Sequence, residues 1–134
     1  MKWDSETLSE MLVKEGPPMY ARVTGATAPL SLRGSLQIAP RQLVERFGPL
    51  GPGSADRKVT GAYLFQDAHQ RVIQIYDWKA TTLYDARPEA STLSVADFWA
   101  VAVPQEFSVA AASSVNLPAF AQWLGATAFR STRV

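Results

Sequence analysis

In LSLRGSLQI, Leu30, Leu32, Gly34, Leu36 and Ile38 alternate with Arg33, Ser35 and Gln37. That period of two predicts a half-buried strand. Gly34 inside it marks a bulge or a close approach of another backbone. The period then changes. After Pro40, whose missing N–H costs little in a first helical turn, Leu43, Val44 and Phe47 fall on one helical face until Gly48 ends it. Arg41 and Glu45 are four apart and can pair, with Arg46 directed to solvent. A similar helical stripe of Leu8, Met11 and Leu12 follows Asp4 or Ser5 as the cap, and stops at Gly16 and Pro17-Pro18. Met19 to Gly25 then reads as a short strand.

RKVTGAYLFQ and RVIQIYDW flank the turn-like DAHQ and predict an antiparallel hairpin. On its second strand Ile73 and Ile75 share a face with Asp77 and Lys79, while Val72, Gln74, Tyr76 and Trp78 share the other. On its first strand Val59, Tyr63 and Phe65 alternate with Thr60, Ala62 and Leu64. Both faces are apolar enough to place the hairpin inside a sheet, or between helices on one side and a partner on the other. SVADFWAVAV has two readings: a short helix capped by Ser94, with Phe98 and Trp99 inside, or a strand through AVAV. EFSVAAASS reads as a strand, and Asn116 caps a final helix, LPAFAQWL, closed by Gly125. The segments PLGPGSAD and ARPEAST are loops by composition, and the tail RSTRV is expected to fray. The sum is an α+β fold: an antiparallel sheet of about four to six strands covered by about three helices.

At 134 residues the chain is expected to form one domain. Its 47% hydrophobic and 19% charged residues fit a globular protein rather than a disordered one. With net charge +1, no strong overall field draws it to nucleic acid or to an anionic membrane. The absence of cysteine excludes disulfides, thiolate metal sites and a cysteine nucleophile, and agrees with a cytoplasmic setting. MKWDSETLSEML carries acids where a signal peptide needs an apolar core, and no apolar run is long enough to span a membrane.

Chemistry is sparse. The single histidine, His69, sits in the predicted turn and reads as a solvated turn residue. The acids are scattered without metal-ligand spacing, and GPLGPG lacks the lysine and hydroxyl of a phosphate loop. Neither a metal nor a cofactor is expected. What remains is QIYDWKATTLYD, together with Arg57, Lys58 and Tyr63 on the neighbouring strand. Tyr76 and Trp78 share one face there, while Asp77 and Lys79 share the other and can pair with each other, or meet Arg57. Aromatics with a charged rim are what protein-interface hot spots are made of. Tyr63, Tyr76 and Trp78 near Arg57 and Lys58 also resemble a stacking platform for single-stranded nucleic acid, disfavoured by the weak basic footprint.

The segment from LRGSLQIAPRQLVERFG to VIQIYDWK resembles a group of small proteins encoded by phages and prophages. The shared features are Leu43 to Gly48, Lys58 to Tyr63 and Ile75 to Lys79, covering roughly the middle half of the chain. The group often continues with a glycine pair, which alanines replace in FSVAAASS. The resemblance implies an accessory protein of α+β build without assigned catalytic residues. Its expected role is non-enzymatic: binding and inhibiting a host protein, such as a defence effector in the manner of an anti-CRISPR, in the host cytoplasm. Two alternatives stand beside it. One is a sponge for a nucleotide signal, using Trp78, Tyr76, Arg57 and Lys58 and possible across a homo-oligomer interface. The other is a single-stranded nucleic-acid-binding module.

Overall fold

The β-branched and aromatic runs on either side of Asp67 to Arg71 form the hairpin that organises the molecule. The computed structural model describes residues 20–25, 30–78, 80–81, 93–112 and 114–131. Its strands are β1 (Ala21–Val23), β2 (Ser31–Ile38), β3 (Ala62–Gln66), β4 (Val72–Tyr76), β5 (Gln105–Ala111) and β6 (Ala128–Ser131). Its helices among the described residues are α1 (Pro40–Phe47), α2 (Val95–Trp99) and α3 (Leu117–Leu124). The strands form one sheet in the order β1-β3-β4-β5-β2-β6, and every pairing is antiparallel. The fold is α+β, as the periodicities predict, and the β3–β4 hairpin lies in the interior of the sheet. No helix among the described residues is long and apolar enough to cross a membrane. The predicted helix from Asp4 to Gly16 and the ARPEAST loop lie outside the described residues.

One face of the sheet carries Leu36, Ile38, Tyr63, Phe65, Ile73, Ile75, Phe107 and Val109, all buried. Leu43 from α1, Phe98 and Trp99 from α2, and Leu117, Phe120 and Leu124 from α3 close over them in a single cluster. All three helices therefore pack on that face. The SVADFWAVAV ambiguity resolves as helix: the Ser94 hydroxyl oxygen accepts from the Asp97 amide at 3.1 Å, satisfying an otherwise orphaned donor. Asn116 caps α3 in the same way, through the Ala119 amide.

The helices also interlock through their C-terminal ends. Arg22 donates to the Phe47 carbonyl at 2.6 Å and stacks over the Tyr63 ring. Arg46 is exposed, as expected, and also donates to the Trp123 and Leu124 carbonyls and lies against Phe47 and Trp123. A cation at the negative end of the helix dipole, bonded to unpaired carbonyls, accounts for both.

Two strands depart from the sequence pattern. In β2, Leu32 pairs with Ala110 and Gly34 with Val109, so Arg33 is an extra residue in the ladder. The bulge reverses the alternation before it. Leu36 and Ile38 face the core, but Leu32 is turned to the opposite face and is 46% exposed. Gly34 also meets its second expectation: a side chain there would collide with the Arg130 carbonyl of β6. The predicted frayed tail is partly ordered, because Arg130 and Ser131 continue β6 alongside Ser35 and Gly34.

Candidate recognition site on the open sheet face

The side chains of the hairpin that point away from the helices include Ala62, Leu64, Gln74 and Tyr76, placed by the register Ala62↔Tyr76 and Leu64↔Gln74. No helix among the described residues covers this face. The loop after α1 forms a wall along it. Gly51 exchanges backbone bonds with Ala62, its amide reaching the Ala62 carbonyl at 2.9 Å. Two residues on, Gly53 passes so close to the Val59 carbonyl that a side chain there would overlap it, so glycine is required for this fit. Between wall and sheet lies a cavity of about 300 Å3, bordered by Pro52, Ser54, Gln74, Tyr76 and Trp78. A second, more apolar cavity of about 190 Å3 adjoins it through the shared Pro52, Ala62 and Gln74, and ends at Val23 and Gly25. Together they make a groove across the hairpin.

The loop from Ser54 to Val59 brings cations to one end of this groove. The Ser54 and Val59 backbones bond at 2.9 Å. The Ser54 hydroxyl donates to Asp56 and accepts from the Val59 amide. Asp56 also accepts from the Lys58 amide. The Ser54 bond above all, then that amide, holds the Asp56 carboxyl below its ordinary pKa. Arg57 takes a left-handed backbone, φ +66°, at the tip of this turn and is exposed. Lys58 is directed back, its Nζ 5.7 Å from the centre of the Trp78 ring and 3.7 Å from an Asp56 oxygen. Trp78 itself is 52% exposed. Beside it, burial raises the pKa of Tyr76, with a side-chain hydrogen bond involving Ser108 opposing the rise.

The residues singled out by sequence thus divide. Lys58, Tyr76 and Trp78 gather at one end of the groove, and Arg57 is the exposed residue at the turn tip next to Lys58. Tyr63 does not join them. It pairs with Ile75, faces the helices and is fully buried, with its hydroxyl donating to the Gly48 carbonyl at 2.7 Å. A three-aromatic stacking platform is therefore not formed: the alternation of β3 sends Tyr63 to the face opposite Tyr76. Lys79 lies outside the described residues.

Asp77 is a second correction. Its parity with Ile73 and Ile75 is as expected, but it is no charged rim. It is fully buried, and no ion pair reaches it among the described residues. One carboxylate oxygen accepts from the Thr60 amide at 2.9 Å and from the Gly61 amide at 3.1 Å. The other accepts from the Thr60 hydroxyl at 2.7 Å, and that hydroxyl accepts in turn from the Trp99 indole N–H at 3.1 Å. Sequence reading missed Pro52, Ser54, Thr60 and Trp99. Ser54 closes its own loop through Asp56 and Val59, while Pro52, Thr60 and Trp99 acquire their roles from segments farther along the chain, which nothing local marks.

His69 is exposed in the β3–β4 turn, beyond the end of the strands away from Trp78. The Ser54 hydroxyl at the groove wall is engaged by Asp56 and the Val59 amide. Among the described residues no three histidine or acidic side chains cluster as metal ligands would. What the groove offers is apolar surface, an amide from Gln74, two aromatic rings and a basic end. A scan against protein-family models finds no match for this chain, and a search of curated proteins finds none either.

Proposed function

We propose that this protein acts by binding rather than by catalysis, and that it captures a partner protein on the groove ending at Trp78. The observation that carries this reading is Trp78 itself: half-exposed beside Lys58, at the end of an apolar groove on a sheet face that no described helix covers. A large ring left half in solvent, with a cation over its face and an apolar groove beside it, is surface that a partner can bury. It is what the centre of an interface supplies when a partner closes over it. Arg57 and Lys58 are matched in number by Asp56 and Asp77, but Asp77 is buried and enclosed by its own donors, so the charge presented to solvent at this end is basic and favours an occupant with an acidic group. The phage-protein resemblance directs the search to host proteins in the cytoplasm. A defence effector is the first class to test, with inhibition arising from occupancy.

The test compares immobilised wild-type protein with Trp78→Ala and Lys58→Glu as baits. Partners retained by the wild type are then titrated by calorimetry. Loss of binding in both variants, with unchanged thermal unfolding, supports the groove. A partner bound equally by all three proteins would move the interface elsewhere.

A second reading has its own support in the 300 Å3 cavity, whose size lies at the lower end of small-ligand sites. A flat anionic molecule such as a nucleotide would set its ring against Trp78 or Tyr76 and its charge near Arg57 and Lys58. A thermal shift with nucleotides at saturating concentration would favour it, and the absence of any shift would remove it.

A further inference from the structure

We infer that Asp77 is a positioning residue of the Trp78 site, acting through Thr60 to hold Lys58 over the indole. Taking a carboxylate out of water is costly, and the fully buried Asp77 has no cation beside it among the described residues. Its neighbours in strand parity, Ile73 and Ile75, fill the same face with aliphatic side chains, so packing alone does not call for an acid there. What the carboxylate does, and an aliphatic residue would not, is hold two backbone amides and one hydroxyl from a segment 16 and 17 residues away. That segment begins two residues after Lys58, and Asp77 directly precedes Trp78. The clamp therefore ties together the two stretches that carry the cation and the ring. The bonds also run in one direction. The Trp99 N–H donates to the Thr60 oxygen, leaving the Thr60 hydrogen for Asp77. Trp99 is anchored in the core by Tyr63, Phe98 and Phe107, so the registration of the surface pair is referred to the rigid interior.

The inference is tested on the full chain labelled with 5-fluorotryptophan, which gives one fluorine resonance for each of its 4 tryptophans. Trp78→Phe assigns the Trp78 signal, and Lys58→Ala shows how it moves when the cation leaves. Thr60→Val removes the hydroxyl while keeping the shape and the backbone amide, and Thr60→Ser restores the hydroxyl. Asp77 itself is left unchanged, since its loss endangers folding. Thr60→Val is expected to shift the Trp78 resonance in the direction seen for Lys58→Ala, with Thr60→Ser returning it to the wild-type position. The Trp99 signal moves in Thr60→Val as a control that the relay is broken. A Trp78 resonance unmoved in Thr60→Val, while thermal stability falls, would reduce Asp77 to a structural role and overturn the inference.

The binding arm rests on the recognition reading above and is scored separately. Affinity for the captured partner should fall about fivefold or more in Thr60→Val, the effect of roughly 1 kcal/mol, and recover in Thr60→Ser. A displaced Trp78 signal with undiminished affinity would uphold the positioning and overturn the groove as the interface.

Discussion

The β3–β4 hairpin carries an aspartate at each end, and the two do opposite things. Asp67, at the turn, is bound within its own loop. It accepts from the His69 and Arg71 amides and pairs with the Arg71 guanidinium at 2.6 Å. Arg71 continues to the Ser114 carbonyl, fastening the turn to the segment after β5. Asp77, at the open end, has no such cation among the described residues, and its bonds go to a distant loop. The first is a turn device whose partners lie within four residues. The second is a cross-strand clamp: the register Ala62↔Tyr76 brings Gly61 and Thr60, 16 and 17 residues back in the chain, beside it at the mouth of the hairpin. Identical side chains at the two ends of one hairpin thus serve local closure in one case and the alignment of a surface site in the other.

The sharpest break in that contrast is Asp77→Ala. It strands the Thr60 and Gly61 amides in a buried setting, where each unsatisfied donor costs about 1–3 kcal/mol, so stability should fall by roughly 3 kcal/mol or more. Thermal or urea unfolding measures it. Next is Trp78→Ala, which should weaken the captured partner by about 2 kcal/mol, near thirtyfold, while unfolding shifts by no more than about 0.5 kcal/mol. Calorimetric titration beside a melting curve separates the two effects.

Asp67→Asn comes third, at about 1 kcal/mol. Burial alone would raise the Asp67 pKa, but the Arg71 amide, the Arg71 side chain and the His69 amide together bring it below the ordinary value of 3.8. A carboxyl whose folded pKa is depressed stabilises fully above its unfolded pKa. That contribution is lost as pH falls through the folded value. Wild-type stability should therefore decline below about pH 4, with Asp67→Asn showing a shallower acid limb in pH-dependent urea unfolding. The smallest effect belongs to His69→Ala, in the exposed turn. It should change stability by less than about 0.5 kcal/mol and leave partner affinity unaltered, a control that keeps the two ends of the hairpin distinct.

Much of the scaffold was legible because its causes are local. Pro40 and Gly48 bracket α1, Asn116 and Gly125 bracket α3, and Ser94 caps α2, each through bonds made within a few residues. The hairpin around DAHQ and the parity of Ile73, Ile75 and Asp77 follow from a period of two. The candidate site was legible only in part. Lys58, Tyr76 and Trp78 come together, Arg57 stays at the exposed turn tip, and Tyr63 turns inward. The alternation within β3 holds, with Tyr63 and Phe65 on one face and Ala62 and Leu64 on the other, but the pattern of a single strand does not show that Tyr63 lies opposite Ile75 and Ala62 opposite Tyr76. Leu32 was misplaced for a related reason: an extra residue in a ladder reverses every face before it, and one strand read alone does not reveal what its neighbours pair with.

The amino-acid order by itself determined the elements, their caps and the amphipathic pattern that makes an α+β fold, since those depend on side-chain chemistry over three or four residues. Tertiary structure decided which acid is solvated and which is buried, which face of the sheet the described helices pack on, and that Lys58 lies over Trp78. Each of these depends on contacts between residues far apart in the chain. A buried carboxylate finds its donors only once Thr60 and Gly61 have been brought beside it, so the sequence could mark Asp77 as charged but not as enclosed.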